Sequence, residues 1–268
     1  MRRSAGALFA LFIPLPVAAQ VPVTQVNLTY DTYAASLEVM RMHVFFGIGP
    51  WNYRINLNYQ TTGLVGFFYR GQQVNTVRGT WDNGQANPLE FFGEGTWRGK
   101  QRRTLIDYDS GIPDVKVLEP PQDSEREPVP RDMQLHTMDT LSALAQLMRK
   151  VELQRTCQTT VHTYDGRRVL EIEASNAGTE TLTPSHDSSF SGPAVRCDFE
   201  GRELAGFPIG QDDPDHRRPL RGSAWLAEVP PDPMPLPVRI SFQTRWFGEA
   251  TMYLTSVNHA KPEDVPHN

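Results

Sequence analysis

Cysteine is nearly missing: two residues, Cys157 and Cys197, in a chain of 268. Two thiols cannot build a zinc cluster or a disulfide-dense scaffold, and their spacing is not the C-x-x-C of a thiol redox centre. An excess of positive charge is also missing. Lys and Arg number 26 against 31 Asp and Glu, a formal net charge of −5. A nucleic-acid binder is normally strongly basic, so that class is excluded. Long hydrophobic runs are absent as well. The longest, Ala5–Val17, is about 13 residues and is interrupted by Pro14 and Pro16, whereas a spanning helix needs roughly 20. No G-x-S-x-G elbow is present, since Ser188-Ser189-Phe190-Ser191-Gly192 lacks the first Gly. No EF-hand loop or zinc-protease helix occurs either. What the chain does contain, at 39% hydrophobic and 10% aromatic residues, is enough apolar surface for a core.

The first residues read as an address. Arg2 and Arg3 precede the apolar Ala5–Val17, and Val17-Ala18-Ala19 places small residues where a signal peptidase reads them. The expectation is a signal peptide over 1–19, cut after Ala19, and an exported periplasmic protein with no later transmembrane segment. In an oxidising compartment Cys157 and Cys197 are expected to pair as a structural disulfide.

Beyond the leader, period two dominates. Tyr53, Ile55, Leu57 and Tyr59 alternate with polar residues, as do Val238, Ile240 and Phe242. Successive strand side chains point to opposite faces, so each segment has one apolar and one wet face. Leu89, Phe91 and Trp97 oppose Glu90, Glu94 and Thr96, with Phe92 as the exception. Turn signals such as Arg98-Gly99-Lys100, Asp109-Ser110-Gly111, Asp165-Gly166 and Phe247-Gly248 separate the strands. One segment has helical spacing: Leu141, Leu144, Leu147, Met148 and Val151 form a stripe, with Asp139 placed as N-cap. The short run Gly63–Phe68 fits either a second helix or a buried loop. The Pro-rich stretch 119–131 reads as a surface linker and 228–237 as an extended loop joining the last strands, because proline withholds a ladder donor. The fold class expected is mainly β: a curved antiparallel meander forming an open or partly closed barrel. One amphipathic helix, about 139–151, packs on it, in a single domain over 20–268.

Several ordered motifs resemble a bacterial family. Tyr30-Asp31-Thr32-Tyr33-Ala34-Ala35 comes first, then Thr62-Gly63-Leu64-Val65-Gly66 and Trp97-Arg98-Gly99-Lys100. Glu119-Pro120-Pro121 leads to Asp139-Thr140-Leu141-Ser142-Ala143-Leu144, and Tyr164-Asp165-Gly166-Arg167-Arg168 follows Cys157. Gly192-Pro193-Ala194 with Cys197 and Ala205-Gly206-Phe207 complete the series. Together they resemble the exported proteins grouped as domain-of-unknown-function family 3108, over about Val26 to Leu254. The resemblance implies a periplasmic β-rich protein similar to lipoprotein-carrier half-barrels, and no established activity.

Candidate sites follow from residue type. Leu64, Phe67, Phe68, Phe91, Trp97, Leu147 and Met148 exceed what alternation requires and are candidates for an apolar ligand wall, with the helix as lid. Arg98, Lys100, Arg103, Arg167 and Arg168 crowd two turns and form a candidate anion rim, since arginine forks suit carboxylates and phosphates. His136 with Asp139, and Asp212, Asp213 and Asp215 with His216, are of hard-metal ligand type but match no metal motif, so no metal, cofactor or catalytic residue is assigned. The expected function is a non-enzymatic binding or carrier module for a lipid or acyl-chain ligand. The alternative is an envelope assembly factor with a filled barrel and a protein partner.

Overall fold

The computed structural model describes residues 24–68, 70–97, 99–210, 218–244 and 248–259; for Leu64, Val65 and Phe68 it describes the backbone alone. The leader therefore lies outside the described residues. Thirteen strands occur among them. The first seven are β1 Thr24–Ala34, β2 Leu37–Ile48, β3 Asn52–Thr61, β4 Gly71–Asp82, β5 Gln85–Trp97, β6 Lys100–Asp109 and β7 Ile112–Glu119. The rest are β8 Thr159–Tyr164, β9 Val169–Leu182, β10 Gly192–Ala205, β11 Leu220–Glu228, β12 Pro235–Thr244 and β13 Gly248–His259. Three helices join them: α1 Gly63–Phe68, α2 Arg131–Gln134 and α3 Thr140–Gln154.

All thirteen strands lie in one sheet, in the order β7-β6-β5-β4-β3-β2-β1-β13-β12-β11-β10-β9-β8. Every pairing is antiparallel, so the two halves of a meander are zipped together where β1 meets β13. The sheet curls. A single helix, α3, touches β4 and β5 in one half and β8 and β12 in the other. The two edges also approach each other, because a Cβ on Gly166 would lie 3.1 Å from Leu118 and 3.3 Å from Thr104. Gly166 has φ +87 in the β8–β9 turn, where glycine alone is unstrained.

Burial along the inner face is uneven. On β2, Ile48, Phe46 and Val44 are buried while Met42 and Met40 are partly exposed. On β3, Tyr53 and Ile55 are buried while Leu57 and Tyr59 are not. On β12 the same change separates Val238 from Ile240 and Phe242. The buried end is the one that α3 covers. The Ala86 amide at the start of β5 donates to Gln146 at 2.9 Å, and the Tyr53 hydroxyl donates to Ser142 at 2.7 Å. Ala145, Leu147, Met148 and Val151 of α3 join β1, β2, β3 and β10–β13 in one core cluster. Apolar burial of this kind supplies most of the stability of a packed helix.

The expected helix stripe is present, and Asp139 caps it: its carboxylate accepts from the Ser142 amide at 2.9 Å. Gly63–Phe68 is a short helix. Three expectations need correction. The Pro-rich stretch 228–237 is not loop throughout, because 235–237 begin β12 paired with β11, and Met234 and Leu236 are buried. Leu89 does not face inward; a bulge on β5 lets Arg78 pair with Glu90 and Gly79 with Pro88, leaving Leu89 41% exposed. The stretch 119–131 is more than a surface linker, because Val129 is buried in a second small core with Tyr164, Val169 and Ala205.

The disulfide forms. Cys157 and Cys197 are both fully buried and tie the segment after α3 to β10 across a sequence separation of 40.

Candidate functional site

The part of the inner face that α3 leaves uncovered is built from cross-strand rows. Met42, Tyr59, Gln73, Gly95 and Arg102 lie opposite one another on β2 to β6. The next row toward α3 runs Val44, Leu57, Asn75, Gly93 and Thr104. Residues opposite each other share a face, so polar groups here sit among apolar ones. The Tyr59 hydroxyl donates to Gln73 Oε1 at 3.2 Å, and Gln73 Nε2 donates to Asn75 Oδ1 at 2.8 Å. Burial pushes the Tyr59 pKa up, and the nearby Arg102 opposes that shift. Met42, Leu57 and Phe91 lie in or next to these rows on the same face, packed on the core yet partly exposed.

At the rim, the turn between β5 and β6 and the turn between β8 and β9 converge on Glu125. Arg102 Nη2 is 3.0 Å from Glu125 Oε1, Lys100 Nζ is 3.9 Å from it, and Arg167 Nη1 is 3.9 Å from Oε2. Arg167 is only 9% exposed, and its Nη2 donates to the Pro120 carbonyl at 2.7 Å. Burial, and then the charge of Arg102, lower its pKa. Its buried Nη1 has no hydrogen-bond partner.

The sequence-predicted wall residues do not gather in one place. Leu147 and Met148 are core residues beneath α3, so replacing them tests the fold first. Phe91 lies on the inner face, and Trp97 opposite Gly71 and Lys100 nearer the rim. Phe67 is 80% exposed on α1. The side chains of Leu64 and Phe68 lie outside the described residues, as does Arg98. Among the rim candidates, Lys100 and Arg167 meet at Glu125, while Arg168 pairs with Asp165 at 3.0 Å. Arg103 lies one residue out of register with Arg102 and packs over Phe92 at 5.9 Å, on the other face. Sequence reading missed Tyr59, Gln73, Asn75 and Glu125 as site residues. Alternation puts Tyr59 on the apolar face of β3, and Gln73 and Asn75 share one face of β4, which was the available signal.

Asp139 is wholly buried, and His136 donates its amide to the Gly111 carbonyl. Asp212 to His216 lie outside the described residues. Among the described residues no group of His, Cys, Asp and Glu has metal-site geometry. A furrow of about 670 Å³ on the other face of the sheet is lined by Arg196, Asp198, Glu200, Arg221 and Ser223. Its charges are already matched, Arg196 with Asp198 and Arg221 with Glu200, each at 2.8 Å.

One antiparallel sheet curled around a helix, with its two ends brought together, defines a β-barrel-like protein. The model of the family described as "Protein of unknown function (DUF3108)" matches residues 29–255, and the chain belongs to that family. No curated protein has a matching sequence. A similar solved structure is the β-barrel-like protein of domain of unknown function DUF1849 from Brucella abortus. It is 12% identical, with a TM-score of 0.51, and the match covers 90% of this chain and 100% of that one. At that identity the likeness is one of fold.

Proposed function

We propose that the chain is an exported, non-enzymatic binding or carrier protein of the cell envelope. Its apolar or lipid-like ligand lies against the inner face at the end opposite α3. The observation that carries this reading is the gradient of burial: the same strand faces are sealed by α3 at one end and left partly open at the other. Ligand sites are mostly apolar with a few polar groups fixing orientation, as in the Tyr59–Gln73–Asn75 row. Export is supported by the basic, apolar, small-residue order of 2–19 and by the disulfide. Among the described residues no helix is long and apolar enough to cross a membrane.

N-phenylnaphthylamine, a neutral fluorescent probe, is expected to bind at micromolar concentration. Leu57→Asp, at a partly exposed inner position, should weaken binding at least tenfold without changing the far-UV circular dichroism. A second reading rests on Trp51 and Leu153, 77% and 57% exposed near the α3 end. They suit a protein partner, as an assembly factor needs. Absence of probe binding to the wild type would decide for that reading.

A further inference from the structure

We infer that the ligand of this site is a single-chain amphiphile with an anionic head, which seats on Lys100, Arg102 and Arg167 by displacing the Glu125 carboxylate. The inference rests on the apolar binding proposed above and adds the chemistry of the head.

Three cations share one carboxylate at this rim. Arg126 and Arg168 stand nearby but are engaged, with Glu203 at 2.7 Å and Asp165 at 3.0 Å. Glu125 is therefore the anion common to Lys100, Arg102 and Arg167, and it cannot satisfy all three. Arg102 is held at hydrogen-bond distance and the other two stand 3.9 Å away. Arg167 keeps a buried N–H without an acceptor, which is costly for a charged donor. The lowered pKa of Arg167, caused by burial and then by Arg102, agrees with a site short of negative charge.

The cluster is also continuous with the apolar face. Arg102 belongs to the Met42–Tyr59–Gln73–Gly95 row, and the next row holds Leu57. A chain lying along Leu57 and Met42 thus brings its head to Arg102 and the Tyr59 hydroxyl. Glu125 sits between β7 and α2, 24% exposed at its side chain, in a segment outside the strand ladder. It can move without breaking the sheet. Carboxylate and phosphate heads share the chemistry that arginine forks recognise.

The test is displacement of bound N-phenylnaphthylamine by palmitate, hexadecyl phosphate and hexadecanol, which differ only in the head. Palmitate, hexadecyl phosphate or both should displace the probe at about tenfold lower concentration than hexadecanol, the worth of one charge-assisted contact. Whichever anion is stronger identifies the head as carboxylate or phosphate. Arg102→Gln should abolish the advantage and Glu125→Gln should widen it, with hexadecanol unchanged in both. Lys100→Gln, at a side chain 71% exposed, serves as the variant least able to disturb folding and should narrow the advantage. Equal displacement by all three ligands overturns the inference while leaving the apolar site standing. So does a Glu125→Gln variant that weakens all three alike, since that is the signature of a purely structural residue. Failure of the probe to bind the wild type overturns both.

Discussion

Asp139 is an ionisable side chain only 1% exposed, yet it stands where a helix needs an acceptor. It accepts from the Ser142 amide at 2.9 Å and the Ser142 hydroxyl at 2.5 Å, and Ser142 in turn accepts from Tyr53. Burial outweighs these bonds and pushes its pKa up to about 6. A raised carboxylate pKa means that the folded state binds the proton more tightly. The associated stability is full below the unfolded value near 4 and is lost as pH rises through about 6. Asp139→Asn keeps a side-chain acceptor and removes the charge. Its melting temperature should therefore vary less than the wild type's between pH 4 and 6, a difference of about 2–3 kcal/mol across the window. A wild-type profile that is flat over that range would contradict the burial argument.

The helix and its anchors act as one element. Met148 is completely buried among strands of both halves, so Met148→Ala should cost about 2–5 kcal/mol in urea denaturation, through lost burial plus a cavity. The disulfide fastens the same helix at its exit, and Cys157→Ser with Cys197→Ser should cost about 4 kcal/mol for a loop of 40 residues, read from the shift in melting temperature. In the β1–β2 turn, Ala35 and Ser36 both have positive φ, 47 and 64. Asn-Gly at these positions suits such a turn, and the double substitution should stabilise the protein by about 1 kcal/mol. These elements are the legible part of the sequence. The Tyr53–Tyr59 alternation, the α3 stripe and the cysteine pair are local patterns with local or compartmental causes. The choice between Arg102 and Arg103 is not local. Which of two adjacent arginines faces inward depends on the register between β5 and β6, and the bulge that exposes Leu89 is likewise fixed by pairing with β4.

At the scale of the molecule, the meander and the barrel-like curl follow from a chain of alternating segments and tight turns. The gradient of burial does not. It arises because a helix midway along the sequence covers one end of strands that come before and after it. The edges are also a long-range matter. Thirteen alternating strands leave the first and last, β7 and β8, running in the same direction. The connecting segment lies between them: the Met138 amide donates to His162 at 3.0 Å, the Tyr164 amide donates to Met138 at 2.8 Å, and the His136 amide donates to Gly111 at 3.1 Å. Composition marked 119–131 as a proline-rich linker and offered no pairing for the residues from His136 to Met138.

That odd count of strands bears on how the protein avoids its own copies. A sheet edge is a template for another chain, and proteins blunt such edges with charge, proline or a covering segment. Here both templates face the same narrow seam, and the two backbone bonds of Met138 with His162 and Tyr164 keep one of them occupied. Met138→Pro removes the donor to His162 together with a side chain partly buried against the core, and Met138→Ala, which loses the same side chain but keeps the N–H, is the control. The expected outcome is a monomer that associates into β-rich oligomers on concentration, detected by light scattering, while wild type at the same concentration does not. The guard against aggregation would then reside in one residue of a connection, and not in any of the thirteen strands.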